Sequence, residues 1–242
     1  MLTILAIRVK SQKYLSRLWK PSGGLLSVFG FCIKVKPFSN LAEAHAMQFV
    51  AQHTSSPKMD GEIAASGWLS RTEESKRRIL DQLRSMVSEL RTIQPPEGMG
   101  VANVNGGPFY DCRLASKLLW GPFSTVCEFH RALANEPDLD ANFEKLPPDL
   151  VELLTYYKRP CNTLVFTHGD LSSLNILVRG DDVVGIIDWE TSGWSPSYWE
   201  YTCAWNVNSY NPFWQQEVGR FLTPAPHELR MDSIRRKYFP PF

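Results

Sequence analysis

The chain has 242 residues, 43% hydrophobic and 21% charged, which suffices for the buried core of one enzyme-sized globular unit. Its 26 Lys and Arg against 25 Asp and Glu leave a net charge of +1, so it carries no electrostatic footprint for nucleic acid or an anionic membrane. Five scattered cysteines (32, 112, 127, 161 and 203), with no Cys-x-x-Cys pair, argue against a disulfide framework or a zinc site and favour a reducing, cytoplasmic setting.

In chain order, Met1–Ile7 is apolar but is cut short by Arg8 and Lys10, so it reads as a strand rather than a signal peptide. No run approaches membrane-spanning length. From Ser27 to Lys36 the residues alternate, which predicts one strand with Phe29, Phe31, Ile33 and Val35 on one face and Lys34 and Lys36 on the other. Asn40 opens a helix running to about His53, with Glu43, Met47 and Val50 at helical spacing on an inward face. Glu43, three residues after Asn40, also suits a cap.

The division expected is two lobes, residues 1–62 and 63–242. Ser70-Arg-Thr-Glu73 reads as a capping box for a helix to about Thr92, with an apolar stripe Ile79, Leu83, Met86, Val87 and Leu90. Glu73/Arg77 and Glu74/Arg78 are spaced as i,i+4 pairs, so Lys76-Arg77-Arg78 is a solvated helix face. Pro95-Pro96 stops this helix, and residues 97–118 read mostly as loop with a sharp turn at Gly106-Gly107-Pro108. Ser124 is expected to cap a short helix to about Ala134, and a further helix runs from Pro148 to Lys158. Residues 196–222 read as helix and Pro224 onward as a tail.

The most informative stretch is Phe166-Thr-His-Gly-Asp170-Leu-Ser-Ser-Leu-Asn175-Ile-Leu-Val178, followed by Gly185-Ile-Ile-Asp188-Trp-Glu190. An apolar strand delivers Asp170 to a loop. A hairpin turning at Arg179–Asp182 then holds Asn175 and Asp188 at one end, near that loop. Phosphoryl transfer asks for a positioning base at the acceptor hydroxyl and oxygen ligands for magnesium; Asp170 fits the first role, Asn175 and Asp188 the second. Gly169 stands where eukaryotic protein kinases usually carry Arg.

His-Gly-Asp-x-x-x-x-Asn followed by Ile-Asp-Trp resembles the pattern of the aminoglycoside phosphotransferases, relatives of choline kinases and other small-molecule kinases. Glu43–Val50, Gly106-Gly107-Pro108, Gly121–Ser124 and Pro196–Tyr201 resemble the same family, so the likeness spans most of residues 31–210. It implies an α+β, bilobal protein-kinase-like fold with a β-rich N-lobe and a mostly helical C-lobe. It further implies an enzyme that uses ATP and Mg2+ to phosphorylate a hydroxyl of a small molecule, with no nucleic-acid or membrane partner. Under the resemblance Lys34, with Lys36 as the rival, holds the phosphates and Glu43 orients that lysine. His168 holds the catalytic loop through hydrogen bonds rather than acting as a base.

Measured against the family, the stretch from Thr54 to Glu62 passes straight from helix to interlobe linker, where further strands are expected, so the N-lobe is shortened. Gly23-Gly24 is a turn signal and not a phosphate loop. The alternative function is therefore an inactive or truncated kinase-like binding module. A metal-dependent hydrolase is the weaker third reading, for want of histidine ligands. Five of the eight tryptophans follow residue 188 and serve either the core or an acceptor site for a cationic group. The acceptor itself and the oligomeric state are not legible.

Overall fold

The computed structural model describes residues 25–28 and 31–34 (backbone only), 41–55, 61–108, 110–114, 120–135, 137, 145–159, 163–206 and 212–240. The chain divides into two compact units, residues 1–41 and 42–242. In the first, β1 (Leu25–Val28) and β2 (Phe31–Lys34) pair antiparallel, with Val28 opposite Phe31 and Leu25 opposite Lys34. The alternation predicts one strand over 27–36, and two paired strands occupy this region instead. Alternation marks extended backbone but carries no record of where a chain reverses. Met1–Ile7 and Lys36 lie outside the described residues, as do Cys161 and residues 138–144.

The second unit opens with α1 (Ala42–His53). Its buried positions are Ala46 and Val50, and Phe49 stacks obliquely on Phe166 at 5.1 Å between ring centres. Met47, expected to face inward, is 37% exposed: the inward stripe runs 46, 49, 50, one position away from the predicted one. After this helix, β3 (Glu62–Ile63) adds to a hairpin of β5 (Ile176–Arg179) and β6 (Asp182–Ile186), in the order β3-β5-β6, all antiparallel. A separate pair joins β4 (Leu164–Thr167) to β7 (Gly193–Pro196).

The long helix α2 (Glu73–Thr92) has the predicted length. Its cap sits two residues later than Ser70: Thr72 accepts from the Ser75 N–H, while Ser70 belongs to a preceding 3-10 turn (Trp68–Ser70) and donates to Gly67 O at 2.8 Å. Glu74 pairs with both Arg77 (2.8 Å) and Arg78 (3.1 Å), and Glu73 turns to Lys76 instead of Arg77. The buried stripe Ile79, Leu80, Leu83, Val87 and Leu90 meets α6 (Pro212–Phe221) through Trp214, Val218 and Phe221.

A second apolar cluster joins α3 (Val126–Leu133), α4 (Pro148–Tyr157) and α5 (Trp199–Asn206). The cap of α3 is Thr125, whose hydroxyl accepts from the Glu128 N–H, while the Glu128 carboxylate accepts from the Ser124 N–H at 2.8 Å. The segment read as a tail is helix α7 (Pro226–Tyr238), with Pro226 in the first turn where its missing N–H costs nothing. It inserts Met231 and Ile234 into this second cluster, and a fully buried Arg235 pairs with Asp232 at 2.8 Å. Its sequence is mostly polar, so its packing face is invisible until its neighbours are in place.

Trp189, Trp194, Trp199 and Trp214 are all buried, and Trp205 packs half-buried against the first cluster. Of the two readings of these tryptophans, the core reading describes them. No helix among the described residues is long and apolar enough to cross a membrane.

Candidate active site

β4 carries Phe166 inward against Trp194, at 5.3 Å, and Thr167 onto Ser195 of β7, at 2.6 Å. This pair fixes where the chain leaves the sheet, and His168-Gly169-Asp170 follow at once. His168 is fully buried; its Nε2 donates to Ile187 O (2.9 Å) and its Nδ1 accepts from the Asp170 N–H (3.1 Å). Burial holds its pKa below the usual value, so it is a neutral imidazole spanning two loops. It holds the loop, as expected, with both ring nitrogens occupied.

Gly169 has φ +81°, and a Cβ there would lie 2.7 Å from Thr191 O, so only glycine fits this turn. That close approach accounts for a Gly where eukaryotic protein kinases usually carry Arg. The Thr191 hydroxyl donates to His168 O at 3.0 Å and ties the loop bearing Asp170 to the one after Asp188.

Asp170 emerges half-buried. The Asn175 amide donates to both its main-chain O and its carboxylate Oδ2, each at 2.9 Å, while Oδ1 is buried without a partner among the described residues. Burial pushes its pKa up to about 7, helped by the charges of Asp188 and Glu200 and opposed by the Asn175 bond and Arg113. Since the Asn175 Nδ2 faces Asp170, its amide oxygen is the atom left to act as a ligand. Ile187 N–H donates to Asn175 O at 2.9 Å, which registers the end of β6 against the start of β5. Asp188 follows in left-handed backbone (φ 63°, ψ 57°), a conformation unusual outside glycine and frequent where function fixes the chain.

Glu43 of α1, Asp188 and Glu190 each bring a carboxylate oxygen within 4.8 Å of the others. The structure thus joins Asp170 to Asn175, and Asp188 to Glu43. Lys34 ends β2, and its side chain lies outside the described residues. Sequence reasoning does not single out Glu190; its place two residues after Asp188, on a 3-10 turn (Trp189–Thr191), is the only signal it offers.

Two further supports escape the sequence. Glu200 of α5 is buried, and its carboxylate accepts from the N–H groups of His168 (2.6 Å) and Gly169 (2.9 Å). Arg113, from the segment read as loop, pairs with the buried Asp111 at 2.5 Å, donates to Gly169 O at 3.2 Å and lies 4.6 Å over the Trp199 ring. A carboxylate inside the aromatic run Tyr198–Tyr201, and an acid-base pair two residues apart, are the only hints of them.

This is the architecture of a kinase-like α+β fold with a reduced N-lobe: a strand, a His-Gly-Asp loop and a hairpin returning an Asp to it. Among solved structures, the fold is similar to that of a thermostable mutant of aminoglycoside phosphotransferase APH(4)-Ia, in ternary complex with ADP and hygromycin B. That match has TM-score 0.57 and 11% identity over 95% of this chain and 87% of the other. A choline/ethanolamine kinase family protein from Mesorhizobium loti gives TM-score 0.49 at 15% identity, covering 98% and 85%. The gentamicin complex of APH(2")-IIa gives 0.48 at 16%, covering 81% and 69%. No curated protein sequence matches significantly. Residues 42–231 match the model of the phosphotransferase enzyme family, APH, and the chain belongs to that family.

Proposed function

We propose that this protein is an ATP- and Mg2+-dependent phosphotransferase acting on a hydroxyl group of a small molecule. The observation that carries this reading is the Asn175–Asp170 hydrogen bond at 2.9 Å, which occupies one carboxylate oxygen and leaves the other, Oδ1, with no donor among the described residues. A substrate hydroxyl is the donor such an oxygen lacks. In this reading Asp170 orients the acceptor hydroxyl and takes its proton. Asn175 holds Asp170 in one rotamer, and His168, Glu200 and Arg113 hold the loop on which Asp170 stands.

The residues also fit a hard divalent cation: Asn175, Asp188 and the neighbouring Glu190 and Glu43 offer only oxygen donors. Asn175 and Asp188 are the proposed ligands, and magnesium bound there would neutralise phosphate charge. Lys34 is proposed to bind the phosphates with Glu43 as its orienting carboxylate, and residues 1–62 to form the nucleotide-side lobe. The solved structure of APH(4)-Ia contains ADP and hygromycin B, which supports a nucleotide and a small-molecule acceptor here.

The test is phosphoryl transfer from labelled ATP to a panel of hydroxylated small molecules. Turnover by the wild type, its loss in Asp170→Ala and retention of nucleotide binding by that variant are the expected results. Full transfer by Asp170→Ala would overturn the assignment. A second reading, an inactive binding module, is favoured by one observation: residues 54–61 alone separate α1 from β3, and β3 pairs with β5. That link is shorter than further strands between α1 and β3 would need, and this reading predicts no turnover with any acceptor.

A further inference from the structure

We propose that a groove at the end of the β4–β7 pair remote from Asp170 binds a phosphate-bearing small molecule, as a second site distinct from the catalytic one. The groove has a volume of about 1090 Å³ and runs between α2, the end of α4 and the segment joining α6 to α7. Val165, early in β4, and Ser197, just after β7, border it, whereas Asp170 follows the opposite end of β4. None of its lining residues belongs to the loops bearing Asp170, Asn175 or Asp188.

Three arginines line it, Arg84, Arg91 and Arg159, against a single acidic residue, Glu228, whose carboxylate lies 3.7 Å from the His227 ring. Arg91 is the telling one. It is half-buried, its side chain donates only to Ser197 O at 3.3 Å, and no carboxylate among the described residues pairs with it. Burial lowers its pKa, and the one acid whose charge acts on it, Glu200, already accepts from His168 and Gly169. A half-buried guanidinium with most of its five donors unused can turn those donors to an anion in the groove. Arg159 makes no side-chain ion pair among the described residues either, and Arg84 is held by Asp81 at 3.3 Å and by Arg220 O.

Guanidinium forks bind phosphate oxygens in pairs, which favours phosphate over a simple halide or a neutral ligand. Ser88, Tyr156 and Tyr198 border the same space, and its volume matches an organic phosphate better than a bare ion. The same charge excludes a polyamine, so this groove is not a place for a cationic acceptor.

The experiment is isothermal titration of inorganic pyrophosphate into the metal-free full chain, with sulfate at equal ionic strength as control. Arg91→Gln, Arg159→Gln and Lys34→Gln are titrated beside the wild type. We expect submillimolar binding by the wild type, affinity at least about tenfold weaker in each arginine variant, and no change in Lys34→Gln. Absence of heat, wild-type affinity in both arginine variants, matching affinity for sulfate, or loss in Lys34→Gln alone would each overturn the proposal. Arg159 is exposed, so its substitution leaves the fold intact and decides the matter if Arg91→Gln unfolds. Because no nucleotide or turnover is involved, the outcome is independent of the catalytic reading.

Discussion

Glu200 reaches up from α5 to accept from two consecutive N–H groups of the loop that bears Asp170, both buried. Removing its carboxylate orphans those groups at roughly 1–3 kcal/mol each. We therefore expect Glu200→Ala to lower the melting temperature and to slow transfer, and Glu200→Gln, which keeps one acceptor, to recover part of both. Thermal melts and initial rates read the two effects. His130 supplies a pH signature away from the site. It is buried, stacked on Tyr157 at 4.4 Å and hydrogen-bonded to Tyr198, and burial brings its pKa down from 6.5 to about 4. Between these values the unfolded chain binds the proton and the folded chain does not. Its contribution is thus complete above pH 6.5 and is lost as pH falls toward 4, up to about 3 kcal/mol at roughly 1.36 kcal/mol per pK unit. Denaturant melts across that window should show the loss, and His130→Gln should flatten it. Asp170, Asn175 and Asp188 stand out in the sequence as candidates because they occupy one short motif with strands on either side. Glu200 and Arg113 were not, since their partners in the loop lie 31 and 56 residues away in the chain.

At the level of elements, caps and end-helices separate local from tertiary causes. Thr72 caps α2 through its hydroxyl, so Thr72→Ala should cost about 1 kcal/mol, and Ser70→Ala, outside the helix, much less. Urea midpoints compare the two directly. The predicted extent of α2 was right because a twenty-residue amphipathic pattern is strong; the capping residue was shifted because two hydroxyls stand two positions apart and either suits the role. In α7 the reverse holds. Met231→Ala should cost about 2–5 kcal/mol if the helix is a structural wall, and almost nothing if it is a tail.

For the molecule as a whole, the reading as an active enzyme turns on whether a nucleotide binds despite the short link between α1 and β3. Saturating Mg-ATP at about a hundred times its dissociation constant adds roughly 2.7 kcal/mol to stability. A thermal shift of that size in the wild type, lost in Asp188→Ala, is the expected result. A folded protein with no shift would favour the binding module. By itself, the sequence determined the kinase-like class, because one short motif resembles that of a known family, and the helical C-lobe, because periodicity is local; the order Asp170, Asn175, Asp188 is read directly from the chain. The tertiary structure alone decided the supports of the loop, the proximity of Glu43 and Glu190 to Asp188, the docking of α7 and the arginine groove. Apart from Glu190, which follows Asp188 by two residues, these features join residues distant in the chain, and only packing of the core brings such residues within hydrogen-bonding or Coulombic range.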